Sequence, residues 1–483
     1  MKFDDLREFI EALEAIGELK RVEGAHWDLE VGAITELMAE RKGPALLFDR
    51  IGDYPAGYRV LSNAFASLKR TSLVFGIPED LDAMGVMKAW REKLKEFEPV
   101  SPVEVESGPV KENIYTGEAV NLLDFPAPKW HEPDGGRYLG TGSAVIIRDP
   151  EEGWINVGTY RCMIYDQSTI SVKINPDTHG RQMMDKYHAK GQPCPIAIAF
   201  GQDPALWMAA TDQGVPWGMS EYDFAGWLRN EPIEVVKGEA TDLPVPATAE
   251  IVIEGEIPLP GAIEPRQEGP FGEWTGYCAD TTRGLVPIMI VKSVLHRNDP
   301  IILGVPPMKP PVTFRCAFPV VAASIWDQME KAGIRGVTGV WIPVFENAAV
   351  VVVSIKQLFP GHAKEAGVVA AACGAARVGP RFIIVVDDDV DITNLEDVVW
   401  AVATRCSMEI NILKGLRAGA AETLLTLEQR RSGQAVGARM IIDGCRPYGL
   451  IKDFPPVNVF SSEYRQKVTD KWQELFNGSV SNR

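Results

Sequence analysis

Phe3, Leu6, Phe9, Ile10, Leu13 and Ile16 recur at helical spacing and Gly17 follows at a natural stop, so the chain is predicted to open on an amphipathic helix. A second helix is predicted over Leu29 to Arg41. A buried strand over Ala45 to Phe48, a strand over 58–66 and a polar-faced helix over 80–97 come next. Pro99, Pro102 and Pro109 keep the following stretch extended and mark a boundary. From about 110 to 300 short β-type runs take over: Ser143 to Ile147, Ile155 to Tyr165, Thr169 to Ile174, Ile196 to Phe200, Ala249 to Ile253 and Pro287 to Val294. Gly, Pro, Asn and Asp separate them, which predicts an antiparallel sheet or barrel, with helical inserts near 181–189 and 204–210.

Beyond Pro310 the pattern alternates. A helix over Pro319 to Ala332, the apolar run Ala348 to Ile355, a helix over 363–377, a strand ending in Asp387-Asp388-Asp389 and a helix over 395–405 predict an α/β layer with a mostly parallel sheet. A Pro-containing stretch, 447–459, leads to a terminal amphipathic helix, Glu463 to Phe476, suited to docking on a neighbouring subunit or on its own domain. The fold class is therefore α/β (α+β multidomain). The expected divisions are an N-terminal α/β segment (1–110), a β-rich middle (111–310), a C-terminal α/β domain (311–455) and an arm with a helix (456–483). At 483 residues, more than one core is expected.

Composition narrows the classes. A formal charge of -17 leaves no basic face for nucleic acid or for an anionic membrane, though local positive sites for a small anion stay open. Seven scattered cysteines form no CxxC pair, so neither a disulfide framework nor a structural zinc site is indicated. The acidic start MKFDDLREF has no signal-peptide pattern and the apolar runs are too short to span a bilayer; a cytoplasmic protein is expected.

The chemistry-bearing residues centre on Glu152 to Gly180, which carries Asn156, Arg161 and His179. Glu221 and the segment Glu268-Gly-Pro-Phe-Gly-Glu273 add three carboxylates. No two of the six histidines share the i, i+4 spacing of a zinc helix. A metal here leans on oxygen, and an amide, an imidazole and a carboxylate completed by phosphate and water suit Mn²⁺ or Mg²⁺. Plainer roles stay open: a turn cap for His179, a hairpin contact for Asn156, a helix cap for Glu221. Asn156 and Arg161 are five apart, and odd separations on a strand face opposite ways. Either Gly158 permits a bulge or, the preferred reading, the two approach a long flat cofactor from different sides, its phosphate near Asn156 and its ring near Arg161.

Gly269, Pro270 and Gly272 make 268–273 a shaped loop. Two carboxylates flanking it can converge, and a nearby arginine holds one ionised while the other carries a proton; a solvated acidic loop is the competing reading. Phe359-Pro-Gly-His-Ala-Lys364 feeds a helix N-terminus, a place for an anion, or is plain punctuation with a solvated lysine. Asp387, Asp388 and Asp389 suit a metal or a turn cap. Trp154 and Trp274 flank the site segments and suit packing.

Several of these motifs occur together and in order: WINVGTYR (154–161), INPDTHG (174–180), EGPFGEWTGY (268–277), FPGHAK (359–364) and DDDVDITNLEDVVWAVATR (387–405). On them the chain resembles the UbiD family of decarboxylases, which use prenylated FMN. The resemblance implies a central split β-barrel that binds the flavin, a C-terminal oligomerisation domain, and a homodimer or larger homo-oligomer. It implies Mn²⁺ on Asn156, His179 and Glu221, anchoring the cofactor phosphate, and K⁺ on Trp154, Ala210, Thr211 and Glu221. Gly158, Thr159, Arg161, Thr178 and Lys364 are further implied cofactor contacts. Arg161, Glu268 and Glu273 match the catalytic trio.

The implied activity is reversible non-oxidative decarboxylation of an aromatic or heteroaromatic unsaturated acid through a covalent adduct with prenylated FMN. In it Arg161 orients the carboxylate, Glu273 donates the proton and Glu268 keeps Arg161 in place. The implied partners are a small carboxylic acid, CO₂ and a flavin prenyltransferase that supplies the cofactor. A cinnamate-type acrylic acid is the alternative substrate; an FMN reductase or a non-enzymatic assembly protein are the alternatives of other classes. ILKGLRAGAAETLL (412–425) departs from ubiquinone-pathway members and argues against a quinone precursor. Pocket walls are expected near Thr178, Trp274, His296 and beyond 410.

Overall fold

The computed structural model describes residues 3–475 except 177, 212–214, 265, 274–275, 280–285, 310–316, 344–348, 377–379, 407–409, 418–435 and 474. Asp5 starts helix α1 (Leu6–Ala15) by accepting from the Glu8 amide, and the helix buries Leu6, Phe9, Ile10 and Leu13. Strand β1 (Leu19–Glu23), helix α2 (Glu30–Glu40) and strands β2 (Ala45–Asp49) and β3 (Arg59–Ser62) follow. The strand expected over 58–66 is cut short because Asn63 takes φ 54°, outside strand geometry. Helix α3 (Leu68–Phe75), which the apolar pattern did not reveal, is set by caps: Ser67 accepts from Arg70 N and Gly76 closes it in the left-handed region. Helix α4 (Ala83–Lys95) is capped by Asp82.

The middle of the chain supplies β4 (Val103–Glu104), β5 (Asn113–Thr116), β6 (Arg137–Gly140), β7 (Ala144–Arg148), β8 (Ile155–Gly158), β9 (Cys162–Ile164), β10 (Thr169–Ser171) and α5 (His179–Ala189). Then come β11 (Cys194–Phe200), α6 (Pro204–Thr211), α7 (Glu221–Arg229), β12 (Glu234–Lys237), β13 (Pro244–Pro246) and β14 (Ile251–Ile257). The short strands β15 (Phe271–Gly272) and β16 (Cys278–Ala279) precede β17 (Ile288–His296) and β18 (Ile301–Gly304). β18 pairs with β3, so a strand from beyond residue 300 completes the N-terminal sheet β1-β2-β3-β18.

The large sheet runs β6-β9-β10-β17-β14-β11-β7-β8, with β5 added beside β17, and its pairings are antiparallel. It cannot be flat. β8 and β9 are separated by six strand-to-strand steps, roughly 29 Å at about 4.8 Å each. Only residues 159–161 join them, and that link reaches about 14 Å at most. The sheet must therefore roll until its ends meet. Both faces are covered: Val145, Ile147, Ile196 and Ile198 pack inside the curl, while Ala144, Ile146, Ala197 and Ala199 pack in the cluster that includes the helices. Alanine on that side gives α6 room against the sheet.

The C-terminal layer holds α8 (Ala317–Lys331), β19 (Val337–Trp341), β20 (Val350–Ile355), α9 (His362–Ala372), β21 (Phe382–Asp387), α10 (Leu395–Arg405), β22 (Ile410–Arg417) and β23 (Val436–Asp443). Its sheet, β19-β20-β21-β23-β22, is parallel only at the centre. Both edges are antiparallel, a correction to the mostly parallel expectation, because β19 and β22 add to the βαβ centre as antiparallel neighbours in sequence. The terminal helix runs Ser462–Lys471 with Tyr464 exposed. Residue 377 of the expected helix 363–377, and residues 418–425 of the divergent segment, lie outside the described residues.

Candidate active site

The break between β8 and β9 delivers Arg161. Its Nε donates to Glu268 Oε1 at 2.8 Å and Nη2 to Glu268 Oε2 at 2.9 Å, while Nη1 donates to Glu273 Oε1 at 3.0 Å. One guanidinium thus holds both carboxylates of the 268–273 loop, one bidentate and one monodentate. Glu268 is fully buried, whereas the Glu273 side chain keeps 28% of its surface exposed. Burial opposes the charge on Arg161, but the Glu268 hydrogen bonds and the charges of Glu268 and Glu273 outweigh it and hold the guanidinium above its ordinary range.

The loop is shaped as its sequence requires. Gly269 takes φ 89° ahead of a cis Pro270, and Phe271 and Gly272 pair with Ala279 and Cys278. Gly135 N donates to Pro270 O at 2.8 Å. A Cβ on Gly135 would meet Gly269 O at 2.0 Å, so this close approach requires glycine.

Arg161, Glu273, Phe271, Thr159, Trp207 and Thr211 help line a cavity of about 130 Å³, near the ~150 Å³ that holds a benzene ring. The Arg161 guanidinium carbon stands 5.2 Å from the Phe271 ring centre, and Phe271 also packs on Tyr138, with ring centres 3.8 Å apart. The buried Tyr138 hydroxyl donates to Glu268 Oε1 at 2.8 Å. Burial first, then the Glu268 charge, push that phenol far above its ordinary range and keep it a donor. Tyr138 was not singled out in the sequence. The Gly135-Gly136 pair just before its strand is the signal that could have found it.

The other end of the site gathers around β8. Asn156 lies on this strand, buried, opposite Ile147 of β7. His179 opens α5 and Glu221 opens α7, and both helices pack against β8. Glu221 Oε2 accepts from Val157 N at 2.6 Å, and the capping box of Ser220 with Asp223 fixes the helix start beside it. Two helix N-termini therefore converge on the strand that carries Asn156, a favourable setting for an anion. The rings of Trp154 and Trp217 meet His179 edge-on at 5.9 and 5.2 Å.

Asn156 Nδ2 and Trp154 Nε1 are buried without a hydrogen-bond partner among the described residues. Gly158 ends β8 against Tyr160, where a Cβ would meet the ring at 2.9 Å. Burial pushes the Tyr160 phenol up to about 12, against hydrogen bonds from Thr178 and the Gly180 backbone. Thr178 is the N-cap of α5. Ala210 and Thr211 end α6, where carbonyls lack partners within the helix.

Lys364 stands apart, exposed in the first turn of α9 with no hydrogen bond or ion pair to these groups among the described residues. His296 does not reach the cavity wall. It sits among Tyr58, Tyr115 and Phe125 with Nδ1 against Arg297 O, and burial lowers its pKa. Asp387 and Asp389 are taken up by Arg405 and Arg446. Trp274 lies outside the described residues. Among the described residues no three His, Cys, Asp or Glu side chains gather as a metal cluster, and no helix is long and apolar enough to cross a membrane.

Residues 10–90, 101–310 and 317–444 match, in order, the N-terminal, Rift-related and C-terminal domains of the 3-octaprenyl-4-hydroxybenzoate carboxy-lyase family, UbiD. The pyrrole-2-carboxylic acid decarboxylase of Pseudomonas aeruginosa is 34% identical over 422 residues, 83% of each chain. Apo 3,4-dihydroxybenzoic acid decarboxylase (AroY) of Klebsiella pneumoniae superposes with TM-score 0.82 at 26% identity, covering 97% of this chain and 100% of that one. An evolved dimeric form of the UbiD-class enzyme HmfF of Pelotomaculum thermopropionicum, in complex with prFMN, gives 0.78 at 27% identity, covering 95% and 97%. With three successive domains matched and a relative aligned across most of both chains, the sequence belongs to the UbiD family, and the protein is a carboxy-lyase.

Proposed function

We propose that this carboxy-lyase reversibly removes CO₂ from an aromatic or heteroaromatic carboxylic acid with prenylated FMN as cofactor. The arrangement that carries this reading is the Arg161 clamp. Glu268 engages Nε and Nη2, while Nη1 and the Glu273 carboxylate lie together on the cavity wall. A substrate carboxylate beside Arg161 gains charge-assisted hydrogen bonds that orient it. Glu273, held by a single N–H and partly exposed, is the group placed to pass a proton to the carbon that CO₂ leaves. Glu268, bidentate on the guanidinium, fixes its plane. Phe271, Trp207, Val305 and Pro307 supply walls for a flat ring and exclude water.

The β8 end fits the cofactor's phosphate. Buried donors without partners at Asn156 and Trp154 call for a polar ligand, and an amide, an imidazole and a carboxylate form a donor set for a hard divalent ion. Asn156, His179 and Glu221 would hold Mn²⁺ against the phosphate, and Trp154, Ala210, Thr211 and Glu221 would hold K⁺ through oxygen. When bound, the prenylated flavin supplies the electron sink that no side chain offers.

The substrate class draws on the pyrrole-2-carboxylic acid and 3,4-dihydroxybenzoic acid decarboxylases. A homo-oligomer draws support from the dimeric relative and from exposed Val459, Phe460, Tyr464 and Trp472 on the C-terminal arm. The test is protein made alongside a flavin prenyltransferase, with its extracted cofactor weighed by mass spectrometry. CO₂ release is then followed from pyrrole-2-carboxylate, 3,4-dihydroxybenzoate and cinnamate. Prenylated FMN with release from a ring acid is expected. Unmodified FMN with NADH oxidation transfers the protein to the reductases, and preferred release from cinnamate moves the substrate to acrylic acids.

A further inference from the structure

We propose that Tyr138 is the positioning residue of this site, a side chain outside the cavity that sets the direction of Arg161 from two sides; this rests on reading Arg161 as the carboxylate clamp. Arg161 commits two of its N–H edges to Glu268, so the plane of the guanidinium follows the plane of that carboxylate. The Tyr138 hydroxyl fixes the carboxylate by donating to the same oxygen, Oε1, that receives Arg161 Nε. The Tyr138 ring simultaneously packs on Phe271, whose ring centre lies 5.2 Å from the guanidinium carbon. One fully buried tyrosine thus touches two of the groups around Arg161, the acid Glu268 by its oxygen and the aromatic wall Phe271 by its ring.

The backbone supports the same assignment. β6 and β9 pair at Tyr138 with Met163 and at Gly140 with Cys162, so Leu139 is an extra residue on β6. Such bulges re-aim side chains beside active sites, and this one lies where β6 passes the residue following Arg161. The segment just before the strand also holds the catalytic loop through Gly135 N and Pro270 O. A packing role alone calls for the ring. The hydroxyl, directed onto a buried acid side chain that a guanidinium already engages, calls for orientation.

The test uses the flavin-loaded protein with benzoate as probe and benzamide as its uncharged counterpart, both measured by titration calorimetry. Tyr138→Phe keeps the ring. It is expected to weaken benzoate roughly tenfold and benzamide by less than about twofold, since a hydrogen bond to a charged group has been removed. In a Glu268→Gln background the same change should add nothing, because both act through one carboxylate. Equal weakening of both probes, unchanged benzoate affinity, or full additivity with Glu268→Gln overturns the proposal. Wild-type protein that does not prefer benzoate overturns the clamp reading and this inference with it. A wild-type preference that survives Tyr138→Phe overturns Tyr138 alone. Should Tyr138→Phe fail to fold, 3-fluorotyrosine at 138 preserves size and donates more strongly. Benzoate must then bind tighter than to wild type, and equal or weaker binding overturns the role.

Discussion

Around Arg161, the charged groups meet counterparts from the chain itself: Glu268 receives two guanidinium N–H groups and a phenol, and Glu273 a third N–H from the same arginine. Around β8, some 5 residues earlier in the sequence, Asn156 Nδ2 and Trp154 Nε1 are buried donors that meet no partner among the described residues. A buried unsatisfied donor costs about 1–3 kcal/mol; the charged groups of the Arg161 end avoid that cost, although the Trp207 indole on the same cavity wall does not. The contrast divides the labour. The Arg161 end is preorganised before any ligand arrives and can act on charge that develops during reaction. On the proposed reading, the β8 end is completed by the bound cofactor phosphate and its metal ion.

The most severe way to break this comparison is to take the proton from the preorganised end. Glu273→Gln keeps the shape and can still accept from Arg161, but an amide is no acid at neutral pH. Turnover should fall by about 10²–10⁴ with cofactor content unchanged, and product should cease to exchange deuterium from D₂O. If instead Glu268→Gln abolishes exchange while Glu273→Gln exchanges at the wild-type rate, the two acids have been assigned the wrong way round.

Next in size is removal of a group from the unfinished end. His179→Ala, or chelation of metal from wild type, should release the flavin, because a phosphate in a chain of charge -17 then loses its counter-ion. Absorbance of the bound cofactor after gel filtration reads this directly. The loss should be at least the roughly 10–100-fold in affinity that disturbing a metal ligand's surroundings causes. The Arg161 pairs should survive it, since none of them uses the metal. A His179→Ala protein with full flavin and full activity defeats the assignment of β8.

Much of this division was legible in the residues, but unevenly. The 268–273 loop announces itself because Gly269, Pro270 and Gly272 exclude a helix. The five-residue spacing of Asn156 and Arg161 presented a choice between a bulge and two-sided approach. The structure shows a break: residues 159–161 leave one sheet edge and join the other side of the roll, so Asn156 lies on β8 and Arg161 in the link that follows it. That geometry is topological, and local alternation carries no trace of it. The same holds for Tyr138, whose partner Glu268 is 130 residues away. β18 was also hidden, because its pairing with β3 spans some 240 positions. Helix α3 was hidden for another reason: its buried face includes Arg70, Thr71 and Ser72, polar residues that erase the apolar period on which recognition depends.

The mildest test compares two buried carboxylates, Glu268 in the Arg161 clamp and Asp203 at the start of α6. Asp203 caps that helix through Ala205 N at 2.6 Å and faces Arg229 at 2.9 Å, with Asp5 repelling it from nearby. Burial nevertheless dominates and pushes its pKa up to about 6. Unfolded, an aspartate releases its proton near pH 3.9. Between these values the native state keeps a proton that the unfolded chain gives up, so the group's contribution to stability is full below about pH 4 and is lost as pH rises to about 6. The whole effect is bounded by roughly 3 kcal/mol, at about 1.4 kcal/mol per unit. Asp203→Asn keeps a capping side chain and removes the titration, while Arg229 retains Asp4 at 2.8 Å. Melting temperature measured from pH 4 to pH 7 should therefore fall for wild type relative to the variant, by about 1–3 °C, and run level with it above pH 7. Parallel curves across the whole range mean that Arg229 satisfies Asp203 as fully as Arg161 satisfies Glu268.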